Sequence, residues 1–255
     1  MNIIIALISG MLQGILEWIP IGSQNIIANF LVLTGYTSLQ ANDIALFLHI
    51  GTMFAVISYF KKDLHNIIKP KTSYDLSMLY FMISSLFTSL LIGGPIYFFL
   101  KSDSSIFLSI NIFIGLMLIV TGALQVIRNN FNLRKIDSNV TANDGLISGI
   151  AQGFSVIPNV SRSGITIFSL LMMGFKPDYA VKLSFLISIP VIFIEAFYQA
   201  FFKGFVFDIG YLIAAITAFF IGRLVIGHFF KFIKKINFSA FCILLGILSI
   251  ISAIF

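Results

Sequence analysis

The sequence predicts an all-α polytopic membrane protein: six transmembrane helices plus two re-entrant helix-loop-helix hairpins in an inverted-topology repeat. Three observations predict it: an apolar composition, a phrase written twice, and the placement of basic residues. Of 255 residues, 58% are hydrophobic and 10% charged, with mean hydropathy +1.02. A soluble domain carries about 25% charged residues, so the solvent for this chain is lipid. The phrase reads Ile8-Ser9-Gly10-x-x-Gln13-Gly14, then Ile19-Pro20-x-x-Ser23. It returns as Ile147-Ser148-Gly149-x-x-Gln152-Gly153, then Ile157-Pro158-x-x-Ser161, with one residue of gap. An internal repeat in an apolar chain points to two copies of one structural unit.

Six stretches are long enough to cross a bilayer: about 43–60, 76–99, 105–127, 183–202, 206–229 and 237–255. The repeat segments behave differently. Residues 145–157 and 163–176 flank Pro158, and each is too short for a hydrocarbon core about 30 Å thick. Proline breaks the helix between them, which predicts a re-entrant hairpin buried by protein. Residues 3–19 and 24–34 flank Pro20 in the same way. Gly93-Gly94-Pro95 reads as a helix kink or end. The N-terminal apolar stretch lacks a basic region and holds Gln13 and Glu17, so it reads as mature structure rather than a cleaved signal.

Basic residues set the orientation. Lys61, Lys62, Lys69 and Lys71 fall in one loop; Arg128, Arg134 and Lys135 in a second; Lys231, Lys234 and Lys235 in a third. Span parity puts all three on one side with Lys176 and Lys182, leaving Lys101 and Lys203 opposite. That bias marks the cytoplasm and puts both termini outside. The net charge of +6 belongs to these loops and does not point to nucleic acid. The chain reads as one integral-membrane domain, 1–255, with a first repeat over 1–128 and a second over 145–255. Each half holds one hairpin and three spans. Three is odd, so the second half is inverted, and the two Pro-x-x-Ser tips are expected to meet inside the membrane. A second repeated element agrees: Asp43-x-Ala45-x-x-Leu48-His49 matches Asp178-x-Ala180-x-x-Leu183-Ser184.

Few residues could do chemistry. The two glutamates, Glu17 and Glu195, lie in apolar segments, where an ionisable group is expensive and is read first as functional. Glu17 lies one helical turn from Gln13, so both share a face. Glu195 has no partner motif and reads as a lining carboxylate. Arg162 lies in Pro158-Asn159-Val160-Ser161-Arg162-Ser163-Gly164-Ile165-Thr166. Hydroxyls, a guanidinium and a helix N-terminus are what an anionic phosphate needs; the structural alternative is an arginine that only pairs with Glu17. Ser23 could be a nucleophile activated by Glu17 or a helix N-cap. His49 reads either as a proton carrier or as a hydrogen-bonded packing histidine. His65 and His228 lie near the cytoplasmic surface and suggest nothing catalytic. Cys242 is the single cysteine, which excludes an internal disulfide or thiolate cluster.

At Gln13-Gly14-Ile15-Leu16-Glu17 and Pro158 to Thr166 the chain resembles the undecaprenyl-diphosphate phosphatase family, also known as bacitracin-resistance proteins. The resemblance rests on the (E/Q)xxxE and PGxSRSxxT motifs in the setting of the repeat, and covers nearly the whole chain. It implies a phosphatase that hydrolyses a polyprenyl diphosphate lipid to the monophosphate, recycling a carrier for cell-wall or surface glycan synthesis. It also implies a plasma-membrane location with the site facing outside. Gln13, Glu17, Ser23 and Arg162 take the family's catalytic positions. Arg162, Ser161, Ser163 and Thr166 are expected to bind phosphate. Glu17 is the residue through which a divalent cation, Mg²⁺ or Ca²⁺, would be shared with the phosphates. Three positions depart from the family: Asn159 for the motif glycine, Gly22-Ser23 for Ser-Ser, and Ile26 where many members carry histidine. The expected partners are the lipid substrate and membrane lipids, and the sequence leaves room for a homodimer. The competing reading is a polyprenyl-phosphate flippase or anion transporter, which would use the same arginine without cleavage. A non-catalytic lipid-binding homologue is the third.

Overall fold

A computed structural model describes residues 1–19, 22–100, 140–157, 160–202, 208–235, 237, 239–244, 246 and 247, with 116, 119 and 123 besides. Pro20, Pro158 and Asn159 lie outside the described residues, as do Lys101, Lys203, Arg128, Arg134 and Lys135, nearly all of the span expected at 105–127, and much of that at 237–255.

Every regular element among the described residues is α-helical. In chain order they are α1 (Ile3–Leu16), α2 (Ser23–Leu33), α3 (Ser38–Tyr59), α4 (Lys61–Ile68), α5 (Ser73–Leu100), α6 (Ala142–Phe154), α7 (Arg162–Met172), α8 (Pro177–Phe202) and α9 (Ile209–Ile233). Four of them, α3, α5, α8 and α9, are long and apolar enough to cross a membrane. The chain is an integral membrane protein. The helix pairs α1–α2 and α6–α7 coincide with the two copies of the repeated phrase, and their helices have 14, 11, 13 and 11 residues. At about 1.5 Å per residue, none of the four reaches across a core of about 30 Å.

One expectation is corrected and a second is narrowed. The basic stretch after residue 60 is not a plain loop, because Lys61–Ile68 is the helix α4. Leu64 and Ile67 lie three apart, half-buried and buried, and give this charged segment an apolar stripe. Gly93-Gly94-Pro95 does not end its helix either, since α5 continues through Pro95 to Leu100. Proline inside a membrane helix is tolerated where neighbouring groups make up for the lost hydrogen bond.

Packing gathers the chain into two compact units. Met1–Lys61 and Ser188–Phe230 form the first, and Lys62–Ile187 with Lys231–Phe255 form the second. In the first unit, α1 buries Ala6, Ser9, Gly10, Gln13 and Gly14, a stripe at the three-to-four spacing of one helix face. That face lies directly on α9. A Cβ on Gly10 would come within 2.7 Å of Thr217 Cβ, and one on Gly14 within 2.9 Å of the Gly222 nitrogen. Ile27, Leu31, Ile44 and Leu48 fill the core between these helices with Ala6 and Ala214. Thr37 and Gln40 form a capping box that fixes where α3 starts. Outside the spans, the N-terminal ammonium donates to Asp208 at 2.9 Å and holds that carboxyl below its usual range, helped by the Gly210 N–H.

In the second unit, α6 packs on α5 through Gly145, Gly149 and Gly153, spaced four apart. Small residues at this spacing let helix backbones approach closely within a membrane. The approach also permits two inter-helix hydrogen bonds, from Ser84 Oγ to the Ala142 carbonyl at 2.9 Å and from Thr88 Oγ1 to the Leu146 carbonyl at 3.1 Å. A Cβ on Gly149 would meet Ser85 Cα at 2.8 Å, and a backbone atom cannot swing aside. Gly149→Ala is therefore expected to destabilise the fold by about 1–3 kcal/mol, read as a lower Tm in detergent.

Candidate active site

The first cluster forms where α1 ends. Glu17 is the C-cap of α1, and its N–H donates to the Gln13 carbonyl. Gly22 then takes φ 75°, a left-handed conformation that glycine adopts without a Cβ penalty. The chain turns there into α2, whose first residue is Ser23. Ser23 is thus not the N-cap, a position held by Gly22. Its hydroxyl is left to donate to Glu17 Oε2 at 2.6 Å, the short length expected of a charge-assisted bond.

Two further side chains reach the same oxygen. Gln13 Nε2 donates to Glu17 Oε2 at 3.0 Å, and His49 Nε2 lies 3.2 Å from it. Gln13 Nε2 also donates to Thr52 Oγ1 at 3.3 Å, and Thr52 Oγ1 donates to the His49 carbonyl at 3.1 Å. The cluster is enclosed: Gln13, Ser23, His49 and Thr52 are buried, and the Glu17 side chain is 13% exposed. Gln13 Oε1 accepts no hydrogen bond among the described residues. A serine hydroxyl directed at a carboxylate is placed where that carboxylate could take its proton.

Sequence reasoning found Gln13, Glu17 and Ser23, and noted His49. It missed Thr52, because nothing in the sequence links residue 52 to residue 13. Ile26, at the position where the family often has histidine, is 38% exposed. Glu195 lies half-buried on α8. His228 lies on α9, with Nδ1 2.9 Å from the Leu224 carbonyl.

The second cluster forms at the start of α7. Ser161 is its N-cap and accepts from the Gly164 N–H at 3.1 Å. Arg162 and Ser163 open the helix, both half-buried. Thr166 Oγ1 donates to the Arg162 carbonyl at 2.8 Å and lies 2.5 Å from Ser184 Oγ. Ser161 and Thr166 are 4% and 0% exposed. The four residues thus divide. Ser161 and Thr166 brace the turn, while Arg162 and Ser163 stand at a helix N-terminus whose partial positive charge suits an anion. Gln152, the repeat mate of Gln13, donates to Ser89 Oγ at 3.4 Å and the Ile187 carbonyl at 3.3 Å. It has a packing task where Gln13 has a carboxylate. Among the described residues, no three His, Cys, Asp or Glu side chains group as a metal site.

Comparison with known proteins fits both clusters into one family. The family model described as "Bacitracin resistance protein BacA" matches residues 6–251. The chain belongs to that family. A relative from Methanococcoides burtonii named undecaprenyl-diphosphatase is 35% identical over 97% of each chain. Relatives with the same name from Methanothrix thermoacetophila and Saccharolobus solfataricus are 31% and 32% identical, over 98% and 99% of this chain and 96% of each of theirs. The BacA match takes in every residue of both clusters, and the relatives' names denote a phosphatase rather than a transporter.

Proposed function

We propose that the chain is an integral-membrane phosphatase that hydrolyses a polyprenyl diphosphate of the undecaprenyl type to the monophosphate and phosphate. The carrier lipid is thereby recycled. The hydrogen bond from Ser23 to Glu17 at 2.6 Å carries the reading, and BacA membership supports it. Glu17 Oε2 takes the Ser23 proton as Ser23 Oγ attacks the terminal phosphorus. The bond from that phosphorus to the bridging oxygen breaks, Glu17 gives the proton to that oxygen, and the prenyl monophosphate leaves. Water then attacks the phosphoserine and passes a proton to the freed Glu17 carboxylate, which hands it to Ser23 Oγ as the bond from Ser23 to phosphorus breaks and phosphate departs.

Arg162 and Ser163 are the phosphate clamp, backed by Ser161 and Thr166. They counter the charge on the non-bridging oxygens during transfer. A divalent cation, Mg²⁺ or Ca²⁺, would come as the counter-ion of the diphosphate, on the substrate's own oxygens. Glu17 Oε2, approached by three donors, is left for proton chemistry. In this reading α1–α2 and α6–α7 are re-entrant hairpins among six spans, arranged as an inverted repeat. The protein lies in the plasma membrane with its site open to the outside. The basic-residue bias supports that orientation.

The test is phosphate release from undecaprenyl diphosphate by the purified chain in detergent. Glu17→Ala is expected to lower release about 10²-fold or more. Movement of the lipid phosphate across liposomes without release would select the transporter instead.

A further inference from the structure

We propose that His49 is a positioning residue for this reaction, holding the Glu17 carboxylate on Ser23 through a hydrogen bond from Nε2. The inference rests on the reading of Glu17 as the base. Three observations carry it.

The first is the pair of partners on the ring. His49 Nδ1 lies 2.9 Å from the Ala45 carbonyl, and a carbonyl oxygen only accepts, so Nδ1 carries a hydrogen. Nε2 faces Glu17 Oε2 at 3.2 Å, an oxygen that already accepts from Ser23 and Gln13. A bare nitrogen lone pair against that oxygen would be repulsive. In this proposal Nε2 donates to Glu17 Oε2, so that each ring nitrogen has an acceptor.

The second is how α3 is tied down. Thr52, one turn beyond His49, accepts from Gln13 Nε2 and donates to the His49 carbonyl. Gln13 bonds both this turn of α3 and the carboxylate. Rotation of α3 that would withdraw His49 must also break the bond from Gln13 to Thr52.

The third is independent and comes from the repeat. His49 and Ser184 occupy matching positions in Asp-x-Ala-x-x-Leu-x, and each lies on the long helix after its helix pair. Ser184 Oγ lies 2.5 Å from Thr166 Oγ1, as His49 lies against Glu17. In both copies this position reaches a polar side chain of its own helix pair. Two different residue types keep one task, which packing alone does not require.

In the reaction, the Ser23 proton moves to Glu17 Oε2 while the bond from Ser23 Oγ to phosphorus forms. His49 keeps its protons throughout and keeps the carboxyl group in line. Loss of His49 is then felt in turnover rather than in substrate binding.

The experiment compares His49→Gln with His49→Asn in the purified full chain acting on undecaprenyl diphosphate. A glutamine amide reaches where Nε2 stood; an asparagine amide stops near Nδ1. His49→Asn is expected to lower kcat about 10²-fold and His49→Gln about tenfold, with KM within about threefold of wild type in both. The inference is overturned if His49→Asn turns over within about twofold of wild type, if His49→Gln is no faster than His49→Asn, or if KM rises as much as kcat falls. Wild-type chain that releases no phosphate overturns the phosphatase reading, and this inference with it. Wild-type release with indifferent His49 variants overturns this inference alone.

Discussion

Replacing Arg162 with alanine is expected to lower kcat/KM for phosphate release about 10³-fold, with the fold retained. The transferred phosphoryl group spreads negative charge over its non-bridging oxygens. A guanidinium stabilises that charge more in the transition state than in the bound substrate. The backbone of Arg162 serves the turn by accepting from Thr166, and alanine keeps that carbonyl. Ser161 still caps α7 through the Gly164 N–H. The loss should therefore show in kinetics, with the Tm in detergent within a few degrees of wild type. Arg162→Lys separates charge from geometry, because lysine restores a point charge but not the bidentate fork. It is expected to regain about a tenth of the wild-type rate or less. Normal turnover in Arg162→Ala would remove the phosphate clamp from the second cluster.

Replacing Ser23 with alanine is expected to lower kcat at least about 10³-fold. In the proposed reaction Ser23 supplies the attacking oxygen, and its hydroxyl already donates to Glu17 Oε2. The substitution is structurally mild. Gly22 rather than Ser23 caps α2, and alanine is favourable in the first turn of a helix. Gln13 and His49 still approach Glu17 in the variant. The result is read from phosphate release under saturating substrate. Near-normal kcat would transfer the attack to a water activated by Glu17.

Much of this was legible from particular residues. Gln13 and Glu17 lie one helical turn apart, and an apolar segment leaves them little to do but face each other. The repeated phrase marks two helix pairs, α1–α2 and α6–α7, and its glycines mark the faces that pack. Less legible was anything that depends on long-range contact. Thr52 joins Gln13 across 39 residues of sequence, and no periodicity carries that. The four residues Ser161, Arg162, Ser163 and Thr166 look alike as phosphate ligands in sequence. The division between the buried, bracing hydroxyls and the half-buried Arg162 and Ser163 comes from caps and burial, which spacing does not encode. Charge hid the helix Lys61–Ile68, because its apolar stripe is only a few residues long. His49 was ambiguous because one histidine in an apolar span suits packing as well as chemistry. Its contacts with the Ala45 carbonyl at 2.9 Å and with Glu17 Oε2 at 3.2 Å are long-range or tautomer-dependent features that periodicity does not carry.

The most direct test of the two-step account is capture of the phosphoryl group on the chain. Undecaprenyl diphosphate labelled at its terminal phosphate is mixed with purified protein, quenched in acid within the first turnover, and the label is mapped by peptide. The account predicts acid-stable label on Ser23, absent in Ser23→Ala and strongly reduced in Glu17→Ala. Full release of labelled phosphate by wild type with no label ever on Ser23, together with near-normal turnover in Ser23→Ala, would contradict it.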